Sequence, residues 1–132
     1  KDQPSWVEEG IIKASNFWSE HEIDFIATSE ENLFTQGDLF IEVKELPPDR
    51  IGEFETDHTS YGGVIAIIPR LEGNEVTDCV IAHEMGHALH MNHVKQSESL
   101  MAPVVDYDDN GNCFWSELDL TELCRTNDLF CE

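Results

Sequence analysis

The chain has 132 residues, of which 28 are acidic and 7 basic, giving a formal net charge of -21. That length fits a single domain over residues 1–132, and an apolar content of 40% supplies one core. So acidic a chain lacks the basic patches that nucleic acid and anionic membranes require. No apolar run approaches the roughly 20 residues needed to cross a bilayer.

The first predicted element is a helix over residues 5–19. Val7, Ile11, Ala14 and Trp18 recur along one face of a 3.6-residue period, and Pro4 and Ser5 supply its start. Residues 23–27 read as a short strand, and residues 38–44 as another. In the second, Leu39, Ile41 and Val43 alternate with Phe40, Glu42 and Lys44. Residues 46–62 carry two prolines and two glycines among mostly polar neighbours, so they read as a loop. Residues 63–68 form the strongest strand pattern, ended by Pro69. A second helix is expected from about 75 to 89, with Asn74 as N-cap and Glu75 and Asp78 at the positive end of its dipole. Beyond Met91 the chain turns irregular. A last helix begins near Ser116, where Ser116 and Asp119 have the spacing of a capping box. Helix, strands, helix, loop and helix in this order predict an α+β domain with a small mixed sheet.

The four cysteines, Cys79, Cys113, Cys124 and Cys131, form no CxxC pair, which argues against a zinc finger. An even count in a small domain fits two disulfides and a secreted, extracellular protein. Three connectivities stay open.

The stretch that carries chemistry is His83-Glu84-Met85-Gly86-His87-Ala88-Leu89-His90-Met91-Asn92-His93. His83 and His87 stand one helical turn apart on the same face, about 6 Å along the axis. That spacing suits two corners of a zinc tetrahedron. Glu84 follows the first histidine and points to a neighbouring part of the surface. There it can take a proton from a water on the metal without being a ligand. Two histidines compete for the third corner. On a continuous helix His90 would lie about 10.5 Å along the axis from His83, too far when zinc–nitrogen bonds are about 2.0–2.1 Å. His93 reaches the metal if the helix breaks near residue 90 and the chain doubles back. The expected zinc ligands are therefore His83, His87 and His93, with Glu84 as general base.

This stretch resembles the metzincin signature H-E-x-x-H-x-x-G-x-x-H, which a Met-turn follows. The Met-turn candidate is Ser99-Leu100-Met101-Ala102-Pro103. His-Glu-Met-Gly-His, Met-Asn-His and Met-Ala-Pro are similar to adamalysin-like proteases. The short step from His93 to Met101 looks like matrixins, as do Ala14-Ser15-Asn16-Phe17-Trp18-Ser19 and Ile23-Asp24-Phe25. The resemblance implies a metzincin-like fold: a small twisted mixed sheet, an active-site helix, a Met-turn with Met101 beneath the zinc, and a C-terminal helix. It also implies a substrate-pairing strand at Gly63, Val64 and Ile65, which would bind an extended peptide by backbone hydrogen bonds. A buried central strand fits the same apolar run. Residues 102–107, Pro103 among them, would wall the pocket for the side chain after the cleaved bond. The chain departs from the signature at His90, which stands where the family has a helix-ending glycine.

Residues 106–117 match D-x-[DN]-x-[DN]-G-x5-E, the calcium loop of EF-hands. Asp106, Asp108, Asn110 and Glu117 would give side-chain oxygens, Asn112 its carbonyl, and Gly111 the sharp turn. No helix precedes this loop, so an accidental match in an acidic protein is an equal reading.

The functional expectation is a monomeric zinc endopeptidase acting on protein or peptide substrates. Two alternatives stand beside it. One is a zinc hydrolase of another class, such as an exopeptidase or amidase with a different third ligand. The other is an inactive relative that binds calcium and protein partners.

Overall fold

The computed structural model describes residues 5–21, 23, 39–56, 63–72 and 76–126. In chain order the elements are α1 (Ser5–Ser19), β1 (Leu39–Val43), β2 (Gly52–Thr56), β3 (Gly63–Ile67), a single 3-10 turn (Pro69–Leu71), α2 (Thr77–Ala88) and α3 (Glu117–Thr126). The fold is α+β, with a small mixed sheet in the order β1-β3-β2. β1 runs parallel to β3, and β2 runs antiparallel to it.

α1 forms as its periodicity predicts and buries Val7, Gly10, Ala14 and Trp18. Ile11 lies at the edge of this stripe and is only half-buried. α1 packs on α2. The approach is close at Gly10, where a Cβ would meet Ile81 Cδ1 at 2.7 Å. Trp18 closes the contact: its ring is fully buried, and its Nε1–H donates to the Ala82 carbonyl at 3.0 Å. Of the strand expected over 23–27, only Ile23 lies within the described residues, where it joins the core.

β3 has an apolar run because it is the central strand, covered on both faces. Ile65 and Ile67 are fully buried. The strand stops before Pro69, which has no N–H to offer a ladder and instead starts the 3-10 turn.

The loop expected over 46–62 contains a strand. Gly52-Glu53-Phe54-Glu55-Thr56 forms β2, in register with β3 from Gly52 opposite Ile67 to Thr56 opposite Gly63. Two glutamates and a glycine lower its intrinsic β-propensity. At a sheet edge, charges are tolerated and even useful against unwanted pairing, and partnership with β3 decides the conformation.

α2 begins at Thr77, with Val76 as N-cap and no side-chain cap bond. The expected start near 75, with Asn74 as cap and Glu75 beside it, falls outside the described residues. Thr77 Oγ1 bonds the Leu71 carbonyl at 2.6 Å and so ties the helix start to the 3-10 turn. Every α2 residue except Asp78 and His87 is buried. A helix enclosed on all sides has no amphipathic stripe, and it serves as the axis of the fold.

Between α2 and α3 the only pairing among the described residues is an isolated antiparallel bridge, Tyr107 with Cys113. The Cys79–Cys113 disulfide fastens this loop to α2. Cys124 is disulfide-bonded as well. At the start of α3 the capping box forms: the Asp119 N–H donates to Ser116 Oγ at 3.2 Å, and the Ser116 N–H to Asp119 Oδ2 at 2.8 Å.

Cys79 and Cys113 are 34 residues apart, so their link removes substantial loop entropy from the unfolded chain. Replacing both by alanine is expected to lower the unfolding free energy in urea by about 3–4 kcal/mol. An unchanged urea midpoint would contradict the clamp.

Candidate metal centre

α2 sets His83 and His87 one turn apart and then stops. The Met91 N–H donates to the Gly86 carbonyl at 3.0 Å and the His90 N–H to the His87 carbonyl at 2.9 Å. This pair of bonds is a Schellman stop with His90 in the place usually filled by glycine. His90 accordingly has a φ of 72°, the only positive φ among the described non-glycine residues. A side chain in that region costs about 1–2 kcal/mol, and histidine accepts it here because the reversal is required. The side chain of His90 points to solvent.

The reversal returns His93 to the first two histidines. Ring centroids are 4.8 Å apart for His83 and His87, 5.2 Å for His83 and His93, and 5.0 Å for His87 and His93. One ligating nitrogen from each lies within 4.8 Å of the others. The structure brings His93, and not His90, to the other two histidines.

Two of the rings are oriented by backbone carbonyls. His83 Nδ1 lies 2.7 Å from the Leu100 oxygen, and His87 Nδ1 lies 2.9 Å from the Met91 oxygen. A carbonyl only accepts, so both Nδ1 atoms carry the proton and both Nε2 lone pairs face the cluster. Burial pushes the His83 pKa down to about 4, against the opposing effect of the Leu100 bond and with help from His87 and His93. Burial also lowers that of His87, again against its carbonyl bond. Both rings are thereby neutral near pH 7, the state a metal needs.

Glu84 sits beside this cluster, 5% exposed. Its Oε1 is buried and has no hydrogen-bond partner among the described residues. Burial first, and the nearby charge of Glu53 second, raise its pKa to about 8. An unpartnered carboxylate oxygen next to three convergent imidazoles fits a cation with a water beside it, so the donor set suits zinc.

The matrixin family model (peptidase family M10) matches residues 12–124. The chain belongs to the matrixin family. Membership places it among the metallopeptidases and implies zinc, and His83, His87 and His93 form a triad that could hold a metal. No curated protein sequence matches the chain at a significant level.

In this matrixin Met101 is fully buried. A Cβ on Gly86 would meet its sulfur at 2.5 Å, so Met101 lies directly against the helix turn between His83 and His87. Gly86 is the residue that permits this approach. The turn is held by the same residue that caps α3. Asp119, with no exposed surface, takes the Leu100 N–H at 2.8 Å on Oδ2 and the Met101 N–H at 2.9 Å on Oδ1. Leu100 in turn gives its carbonyl to His83. No local signal marks this second duty, because its partners are 18 and 19 residues away.

Gly63, Val64 and Ile65 do not form a substrate-pairing edge. They belong to β3, whose two sides are occupied by β1 and β2, and the buried central strand is the arrangement found. The strand beside the centre is β2. A Cβ on Gly52 would meet Val80 Cγ1 at 2.7 Å and Glu84 Oε2 at 3.3 Å, so its backbone passes close to Glu84. Pro103 lies exposed beyond the Met-turn, as does Val104.

The candidate calcium loop is organised by its own backbone. Asp108 Oδ1 accepts the N–H groups of Asn110 and Asn112, each at 2.9 Å, and Asp106 Oδ1 accepts that of Tyr107 at 2.8 Å. Gly111 turns the tip with a φ of 81°. Glu117 is exposed on the first turn of α3. Among the described residues Asp106, Asp108 and Glu117 are not part of any convergent group of ligating atoms. Nothing in this arrangement supports calcium.

The raised pKa of Glu84 has a consequence for stability. Between its ordinary value of 4.5 and about 8 the folded metal-free protein keeps a proton that the unfolded chain releases. Stability from this group therefore falls as pH rises through that window. Glu84→Gln removes the effect. Urea unfolding of both metal-free proteins should show the variant gaining on the wild type from pH 5 to pH 9. A difference that does not move with pH would contradict the buried, unpartnered carboxyl.

Proposed function

We propose that the chain is a zinc-dependent endopeptidase. The observation that carries this reading is Glu84 Oε1, buried and unpartnered beside the three-histidine cluster. A purely structural zinc site has no use for such a group, since structural sites are closed by four protein ligands. Zinc bound by His83, His87 and His93 would supply Lewis acidity, polarising the scissile carbonyl and acidifying the attacking water.

The chain's own residues supply the rest. Glu84 accepts the proton of the attacking water at Oε1 and passes it to the departing amide nitrogen. Leu100 and Met91, through their carbonyls, keep His83 and His87 in one tautomer throughout. The substrate lies extended along β2, the sheet edge nearest Glu84, and adds a strand by backbone hydrogen bonds. Gly52 presents no side chain toward Val80 and Glu84, so a peptide on that edge lies close to the reacting groups. Pro103 and the exposed Val104 wall the pocket for the residue after the cleaved bond. The working unit is a monomeric single domain, residues 1–132. Two features fit an extracellular setting: the Cys79–Cys113 disulfide and the bonded state of Cys124.

The test is digestion of a diverse peptide mixture by the zinc-loaded protein, run beside Glu84→Ala. Internal cleavages should appear with the wild type and slow by about 10²–10⁴-fold in the variant. No internal cleavage by a wild type whose zinc content is verified would contradict the endopeptidase.

A further inference from the structure

The three histidines are not held alike. His83 and His87 each have a ring nitrogen fixed by a carbonyl. The ring of His93 has no hydrogen-bond partner among the described residues, only the faces of its two neighbours. It is also the exposed member of the set. Metal-binding imidazoles are usually oriented through their second nitrogen. Without that bond, the position of His93 depends on the backbone that carries it.

That backbone is short. Met91 is fixed by its bond to Gly86, and the Val94 N–H donates to the Met101 carbonyl at 2.9 Å. Between them the Asn92 N–H, one residue before the ligand, donates to Glu122 Oε2 at 2.7 Å, across 30 residues of sequence. Glu122 stands one turn beyond Asp119 on α3, on the same side of the helix. Its carboxylate is itself gripped by Arg125, whose Nε donates to Oε1 at 3.0 Å and whose Nη2 pairs with Oε2. The two-pronged contact fixes the plane of the carboxylate. One helix thus holds both segments of the centre, with Asp119 on the Met-turn and Glu122 on the ligand turn.

We propose that Glu122 is a positioning residue for the third zinc ligand: by holding the Asn92 N–H, it fixes the backbone from which His93 reaches the metal. This rests on the zinc reading above. Glu122 touches neither metal nor substrate and acts through the Asn92–His93 peptide.

The test has one arm without metal and one with it. In the metal-free protein, amide hydrogen exchange at Asn92 should speed up by about tenfold or more in Glu122→Ala, since a charge-assisted hydrogen bond is lost. Glu122→Gln, whose amide oxygen still accepts, should keep most of the protection. In chelator competition, Glu122→Ala should weaken zinc binding by about 10–100-fold, the range seen when groups behind a ligand are removed. In a His93→Ala background the same change should cost no further affinity, because its route to the metal is gone. Glu117→Ala, at an exposed position on the same helix, serves as the control and should match the wild type. Unchanged exchange at Asn92, or unchanged zinc affinity in Glu122→Ala, would overturn the proposal. So would an equal loss of affinity in the presence and absence of His93, which marks a general effect on the fold. A wild type that takes up no zinc would instead contradict the zinc reading itself.

Discussion

Leu100 commits both its backbone N–H and its backbone carbonyl at the candidate metal centre. Its N–H is taken by the buried carboxylate of Asp119 and its carbonyl by His83 Nδ1. A carboxylate with no exposed surface is stable only when its oxygens are satisfied, and Asp119 meets that condition with donors from Leu100, Met101 and Ser116. The cap of the last helix, the turn that carries Met101 and the tautomer of His83 are therefore one connected set of bonds. Removing Asp119 would leave the Leu100 and Met101 N–H groups buried without partners, a penalty of about 1–3 kcal/mol each. The rest of the centre is arranged around this fixed point.

α2 meets two demands that pull in different directions. It must be enclosed, so that Glu84 and His83 lie in a dry, low-dielectric setting where their charged forms are disfavoured. It must also end abruptly, so that the chain can bring a third imidazole back. Enclosure comes from Trp18 on one side and β2 and β3 on the other, with Gly86 and Gly52 removing the side chains that would keep Met101 and the sheet edge away. The abrupt end comes from His90 in a left-handed conformation. The strain there is small beside the geometric gain, since a continued helix would carry every later histidine up the axis and out of reach.

The sequence makes some of this legible and hides the rest for physical reasons. His83, Glu84, His87 and His93 are readable because helical spacing and metal geometry are both local and both short-ranged. α1 is readable because Val7, Ala14 and Trp18 repeat at the helical period, and the Ser116–Asp119 box because it closes within one turn. β2 is not readable: Gly52, Glu53 and Glu55 favour a loop, and only the neighbour β3 makes them a strand. The place of β3 in the sheet is hidden too, since a continuous apolar run fits any strand covered on both faces. The loop at 106–117 shows the converse error. Its spacing matches a cation-binding motif, yet Asp106 and Asp108 serve the backbone of their own turn. The second role of Asp119 and the reach of Glu122 to Asn92 span 18 to 30 residues and leave no pattern in the chain.

In the proposed zinc site, the reversal at His90 makes His93, and not His90, the third ligand. Metal analysis by mass spectrometry after dialysis against zinc and buffer tests it directly on the wild type, His93→Ala and His90→Ala. One zinc per chain is expected in the wild type and in His90→Ala, with loss of the metal in His93→Ala. Zinc retained without His93, or lost only without His90, would contradict it.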